Sequence, residues 1–122
     1  MEKCYRGDIK SLFDEFGVSY IVNAKDRFGT CLHHAAMGQH SDMISLLIEN
    51  GAEIDAKDDR GETPLRESIE RRRYSSITAL IKHGASLKKA NETGPSQEAF
   101  ITALRDDATW VAIDKGRKLS GE

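Results

Sequence analysis

The sequence has few apolar and aromatic residues and no strong excess of either charge. Hydrophobic residues make up 39% of the 122 positions and aromatic residues 7%, so a thick globular core is hard to build. No apolar run approaches the ~20 residues that a membrane-spanning helix needs. The 18 basic and 20 acidic residues leave a net charge of −2, which argues against binding nucleic acid or membrane surfaces by bulk charge.

Cysteines are also few. Cys4 and Cys31 do not suffice for a disulfide scaffold, so we expect reduced thiols in an intracellular, cytoplasmic protein. The residues that follow Met1 lack the apolar core of a secretory signal. A chain of this length forms one domain or is a fragment of something larger, and shortness at the N-terminus favours a fragment.

What the sequence does contain is a repeat. A shift of 33 residues superposes the segment from Thr30 on the segment from Thr63, and 43–52 on 76–85. The identical pairs are Thr30/Thr63, Leu32/Leu65, Ile44/Ile77, Leu47/Leu80, Ile48/Ile81, Gly51/Gly84 and Ala52/Ala85. A partial copy lies upstream, where 22–26 matches 54–58 at an offset of 32. The one-residue difference predicts exposed loop tips at 26–30 and 58–63.

Local chemistry predicts helix, turn, helix and extended loop in each unit. Thr30 and Thr63 are suited to cap a first helix, and Pro64 suits its first position. The second helix carries an apolar stripe at 43, 44, 47 and 48. Gly51 and Gly84 stand where left-handed caps are expected, before polar, hairpin-like connections at 52–62 and 85–95. Neither helix can bury its stripe alone, so the units must stack.

These residues resemble the ankyrin repeat. The resemblance is carried by Thr-Cys-Leu-His-His-Ala-Ala from Thr30, Thr-Pro-Leu from Thr63 and the Gly-Ala pairs at 51 and 84. It implies an all-α solenoid of stacked antiparallel helix pairs with hairpin-like loops. We expect a single domain over 1–116, with a degenerate repeat at 1–25, repeats at 26–57 and 58–90, a divergent cap at 91–116 and a flexible tail at 117–122.

Departures from the family pattern fall at two turns and one core position. The glycine expected between paired helices is Gln39 in one repeat and Arg72 in the next, so strained or reshaped turns are predicted. Arg66 replaces the motif histidine that His33 keeps. The resemblance implies that His33 hydrogen-bonds between neighbouring loops.

Metal binding and catalysis find little support in the residues. His33 and His34 are adjacent and diverge on a helix, and Cys31 with His34 supplies only two ligands, so no metal site is predicted. Cys31 at a helix start has a reactive-thiol interpretation, but it also occupies the usual proline position of the repeat. No phosphate loop or acid pair is present, so we expect no enzyme activity and no cofactor.

The strongest charge cluster is Arg71-Arg72-Arg73. A solvated turn balanced by Glu67 and Glu70 is favoured over a contact with an acidic partner or nucleic acid.

The positive functional prediction comes from the stacked geometry and the family resemblance together. Stacked repeats form a concave surface of loop tips and first helices, which in ankyrin-like proteins holds protein partners. We expect a monomer that binds one protein partner there. The predicted contact residues, which we name the candidate face, are Asp26, Arg27, Phe28, His34, Met37, Asp59, Arg60, Glu62, Glu67, Glu70 and Arg71. Phe28 beside Arg27 is the predicted anchor, the alternative being that Phe28 folds back onto the neighbouring tip. A regulatory or assembly module of a larger protein, even an enzyme, is the alternative function.

Overall fold

A computed structural model describes Cys4, Asp14 and residues 17–92 and 97–120 of the chain. Within these residues the fold is helical, with one two-stranded sheet. The elements are α1 (Val18–Asn23), β1 (Lys25–Asp26), β2 (Gly29–Thr30), α2 (Cys31–Met37), α3 (Ser41–Glu49), α4 (Pro64–Glu70), α5 (Tyr74–Lys82), α6 (Leu87–Glu92), α7 (Gln97–Leu104) and α8 (Asp107–Leu119). The predicted all-α fold of stacked helix pairs is confirmed.

Helix starts and ends follow the predicted chemistry. The Thr30 hydroxyl accepts the His33 N–H and the Thr63 hydroxyl accepts the Arg66 N–H, so each first helix is capped as expected. Gly51 and Gly84 have φ of 97° and 96°, which are left-handed values that favour glycine. β1 and β2 pair antiparallel with Asp26 opposite Gly29, which makes residues 27 and 28 a hairpin tip.

The helices stack in two rows. First helices α2, α4 and α7 pack on one another in succession, and so do second helices α3, α5 and α8. Between the rows lies the core, in which Leu32, Ile44, Leu47, Leu65 and Leu80 are essentially inaccessible. A side chain also ties successive layers, since the Ser76 hydroxyl donates to the Ala36 carbonyl at 2.5 Å. Each layer therefore needs only a thin apolar stripe, which suits the low hydrophobic content.

Two expectations about secondary structure need correction. Residues 87–92 form a helix, α6, in the place of a hairpin-like loop, because Ser86 Oγ accepts the Lys89 N–H and Ala90 is buried against the core. The last helix continues to Leu119, into the segment expected to be a tail, and its Ser120 cap bonds back to the last turn. The predictions for 1–3, 5–13, 15–16, 93–96 and 121–122 fall outside the described residues.

The cysteine prediction is wrong. Cys4 and Cys31 are joined in a disulfide with a Cα–Cα distance of 5.3 Å, and each side chain is 1% exposed. The sequence did not reveal this contact, because the two positions are 27 residues apart along the chain and are brought together only by the fold.

The predicted departures at the inter-helix turns are confirmed. Gln39 and Arg72 have φ of 58° and 56°, the left-handed region where the family pattern expects glycine. Side chains with a Cβ adopt this conformation at a cost of about 1–2 kcal/mol.

Candidate functional site

The first loop tip is organised by Asp26. One oxygen of its carboxylate accepts the Phe28 N–H at 2.8 Å, which closes the turn. Both oxygens lie 3.1 Å from Nε2 of His34, in the middle of α2. Burial acts to raise the pKa of Asp26, but the hydrogen bonds from His34 and Phe28 outweigh it and hold that pKa below its ordinary value. The tip is thus fixed to the helix that follows it.

Phe28 presents an aromatic ring at this tip. Its side chain is 53% exposed, and the Arg27 guanidinium lies 4.8 Å from the ring centroid. The ring also meets His34 in an edge-on contact with centroids 6.4 Å apart. The Phe28 ring thus packs against Arg27 of the same tip and His34 of the helix that follows, and about half of the side chain remains open to solvent.

The second tip is built on Asp58. Its Oδ1 accepts the N–H groups of Arg60 and Glu62, both at 2.9 Å. Sequence reasoning named Asp59 in this tip and missed Asp58. The internal repeat could have identified Asp58, because the superposition of 22–26 on 54–58 makes it the counterpart of Asp26.

Arg60 covers three carboxylates at this tip. Its Nη2 lies 2.7 Å from Glu62 Oε2, 3.6 Å from Glu67 Oε1 and 3.7 Å from Asp58 Oδ2. The Arg60 side chain is half exposed, whereas the three acids are 5% exposed or less. Despite the short distance, Glu62 Oε2 accepts no hydrogen bond from the described residues, and neither do Asp58 Oδ2 and Glu67 Oε2. Arg60 therefore attracts these oxygens by its charge rather than through aligned N–H donors.

The structure corrects the expected exposure of three candidate residues. Glu62 and Glu67 were expected to offer their side chains at the surface, but they are 1% and 4% exposed beneath Arg60. The turn at Asp58 leaves Asp59 and Arg60 outside and brings Glu62 inward, which sequence spacing does not reveal. His34 at the first tip was also expected at the surface, but it is 9% exposed, with its ring against Asp26.

Burial has a direct electrostatic consequence for Glu62. The pKa of Glu62 is raised to about 7, first because burial removes water from its carboxyl group. The neighbouring carboxylate of Glu70, a hydrogen bond with Glu70 and the charge of Asp58 raise it further, whereas the positive charge of Arg60 lowers it. Glu70 itself accepts from Nε of the fully buried Arg66 at 3.0 Å. Below that pKa, a protonated Glu62 beside the Arg66–Glu70 ion pair leaves these three buried groups close to charge balance.

Arg71 and Glu67 form the next contact along α4. Nε of Arg71 lies 3.4 Å from Glu67 Oε1, and the Arg71 side chain is half exposed. Burial raises the pKa of Glu67, and the positive charge of Arg71 opposes that rise. Met37 and Glu70 are partly exposed, and Asp59 is exposed.

The family prediction for His33 is confirmed. Its Nε2 lies 2.9 Å from the carbonyl of Glu62 in the next loop, and its Nδ1 accepts the Thr30 N–H at 3.0 Å. Burial lowers the pKa of His33, which keeps the ring neutral with the proton on Nε2. At the equivalent position, Arg66 donates to the carbonyl of Ala90 at 3.0 Å and lies over the Phe100 ring.

The arginine cluster is partly engaged with the chain itself. Arg71 contacts Glu67, and Nε of Arg72 lies 3.5 Å from Asp106. Among the residues that the structure describes, no three potential metal ligands are grouped to hold an ion. Nor does any helix in that part of the chain have the length and apolar character to cross a bilayer.

Comparison with known proteins agrees with this geometry. The sequence model of the family described as "Ankyrin repeats (3 copies)" matches residues 1–91. The chain is 34% identical over 86 residues to the mouse RelA-associated inhibitor, covering 70% of this chain and 9% of that protein. It is 42% identical over 59 residues to a putative ankyrin repeat protein of Rickettsia bellii, covering 48% and 25%. A third relative is mouse protein phosphatase 1 regulatory subunit 12A, 29% identical over 105 residues, covering 86% and 10%. The chain thus spans a quarter or less of the length of each of these relatives.

Proposed function

Because the chain belongs to the ankyrin-repeat family, whose repeats are protein-interaction modules, we propose that it binds a protein partner through the candidate face. In this proposal the chain acts without catalysis and without a cofactor. It is a monomer of the intracellular, cytoplasmic space and does not bind nucleic acid, in keeping with its net charge of −2.

The observation that carries the proposal is the exposed pair at the first tip. Phe28 offers half of its side chain to solvent, while Arg27 and His34 hold the ring in place. Aromatic and arginine side chains that are already positioned supply most of the energy at many protein interfaces, since little freedom is lost on binding. The half-exposed Arg60 and Arg71 and the exposed Asp59 favour a partner with mixed charge.

A second function is favoured by the coverage of the relatives. A palmitoyltransferase of Danio rerio and a probable E3 ubiquitin-protein ligase of rice also match, over 10% and 16% of their lengths. The chain would then be a regulatory or assembly module within a larger protein, where the same face contacts another part of that protein. Reading the natural gene beyond both ends of this sequence separates the two functions.

Binding through the candidate face is tested by affinity capture. The wild-type chain and an Arg27→Ala, Phe28→Ala variant are immobilised, and proteins retained from source-cell extract are quantified and then titrated individually. A central aromatic anchor contributes about 2 kcal/mol or more, so affinity should fall about 30-fold or more. Val111→Ala is the matched control, because Val111 is 66% exposed on α8, away from both tips.

Equal affinity of the wild type and the double variant would exclude Phe28 as the anchor. Circular dichroism and thermal unfolding of all three proteins establish that a loss reflects the surface and not the fold. We use Arg27 and Phe28 rather than Arg60, because removing Arg60 would leave three buried carboxylates without their covering charge.

A further inference from the structure

The disulfide between Cys4 and Cys31 lies at the start of α2, next to the first loop tip. Cys31 is the first residue of α2, directly after the Thr30 cap and the β1–β2 hairpin. The exposed tip residues Arg27 and Phe28 precede it closely, and His34 follows it. A bond at this point ties residue 4 of the first layer to the element that presents the first tip.

We propose that Cys4 and Cys31 form a reversible redox latch, closed as a disulfide under oxidising conditions and open as two thiols in a reducing compartment. Disulfides inside cells are for the most part transient or redox-sensing, whereas permanent ones belong to oxidising compartments. The inference therefore rests on the proposed intracellular location, but not on the proposed partner.

The chemistry is thiol–disulfide exchange with a low-molecular-weight disulfide such as oxidised glutathione. One cysteine thiolate attacks the glutathione S–S bond, forms a mixed disulfide and releases the first glutathione thiolate. The second cysteine thiolate then attacks the protein sulfur of the mixed disulfide and releases the second glutathione. Two electrons pass from the cysteines to glutathione, and the two cysteine protons end on the two glutathione thiols.

Access to the sulfurs requires opening of the first layer. Both side chains are 1% exposed, so a reagent cannot reach them in the closed stack. Each layer of a solenoid contacts only its neighbours, so local opening of one layer costs less than unfolding of the whole array. The latch is therefore expected to respond to a reductant under native conditions.

The first experiment is a redox titration of the wild-type chain in glutathione buffers. Free thiols are trapped by alkylation at each ratio and counted by mass spectrometry. The expected result is a reversible two-electron transition under native conditions. A bond that millimolar glutathione reduces only after denaturant is added would identify a permanent staple, and cysteines that never pair in oxidised glutathione would refute the bond itself.

The second experiment measures what the latch stabilises. Closing the 27-residue separation should raise the midpoint of thermal unfolding by about 10 °C over the reduced form. Cys4→Ser and Cys31→Ser should each unfold like reduced wild type and ignore dithiothreitol. Hydrogen exchange at residues 25–34 should be faster in the reduced form, and unchanged exchange there would contradict control of the tip. None of these readings uses a partner, so failure of the latch is distinct from failure of the binding proposal.

Discussion

At the scale of single residues, the backbone at Arg72 costs stability that glycine would recover. Its φ is 56°, and it follows Arg71, whose φ is −95°. Both arginines are about half exposed. Arg72 forms a long ion pair with Asp106, and Arg71 forms a long ion pair with Glu67. The two positions thus form a matched pair that differs in backbone conformation.

We predict that Arg72→Gly stabilises the chain by about 0.5–1 kcal/mol, because the relief of left-handed strain exceeds the entropy that glycine costs. Arg71→Gly should destabilise by a similar amount, since only the entropy cost remains. Urea unfolding of both variants measures the difference. A loss of stability at both positions would show that the Asp106 contact outweighs the strain.

Glu62 gives a second prediction at this scale. Its pKa is raised to about 7 in the folded chain from an ordinary value of 4.5. The folded state therefore holds a proton that the unfolded state has lost, so the contribution of Glu62 to stability declines as pH rises from about 4.5 through 7. Glu62→Gln cannot lose that proton, and its stability relative to wild type should increase over the same interval.

Thermal unfolding of the wild type and Glu62→Gln at a series of pH values measures how the stability difference between them changes with pH. His33, whose pKa is lowered, acts in the opposite direction below its ordinary value of 6.5, but it is present in both proteins and cancels in the difference. A constant difference between pH 4 and 8 would show that Glu62 ionises normally.

At the scale of elements, α8 approaches α5 through a glycine. A Cβ added at Gly116 would lie 2.7 Å from both the Ile81 Cβ and the Thr78 carbonyl oxygen, and one of these is backbone that cannot turn aside. The Thr78 hydroxyl also donates to the Ala112 carbonyl of α8 at 3.1 Å. Close packing of these two helices therefore depends on the missing side chain.

Gly116→Ala should destabilise the chain by about 1–3 kcal/mol through overpacking. The sign is informative, because glycine to alanine within an exposed helix stabilises by about 1 kcal/mol. Lys118→Ala on the exposed side of the same helix is the control and should change stability by no more than about 0.5 kcal/mol. A gain at Gly116 in guanidinium unfolding would mean that α8 sits farther from α5.

The elements also show what the sequence could predict. The 33-residue period located α2, α3, α4 and α5 with their caps, because turn glycines and apolar stripes are local signals. α6 was missed, since its stability comes from Ala90 and from the bond that Arg66 makes to it, both of which depend on tertiary contact. At the candidate face, the tips were predicted, but the burial of Glu62 and Glu67 was not, because it depends on the Asp58 turn for Glu62 and on the covering arginines for Glu67.

At the scale of the whole molecule, one buried arginine links the repeats to the C-terminal helices. Arg66 on α4 donates to the Ala90 carbonyl of α6 and lies 4.7 Å from the Phe100 ring centroid of α7. The Glu70 carboxylate beside it balances the charge at 3.0 Å. Where the preceding repeat uses a neutral histidine to reach one loop, this repeat uses a cation that reaches two helices.

Because Arg66 is fully buried and paired, Arg66→Met should cost about 3–5 kcal/mol by leaving Glu70 uncompensated. Hydrogen exchange should show protection lost first in α6 and α7, with α2 and α3 less affected, since each layer contacts only its neighbours. Adding Glu62→Gln and Glu70→Gln to the same chain removes the stranded charge and should restore most of the loss. Uniform loss of protection along the array would instead mean that the stack unfolds as one unit and that Arg66 is not a local link.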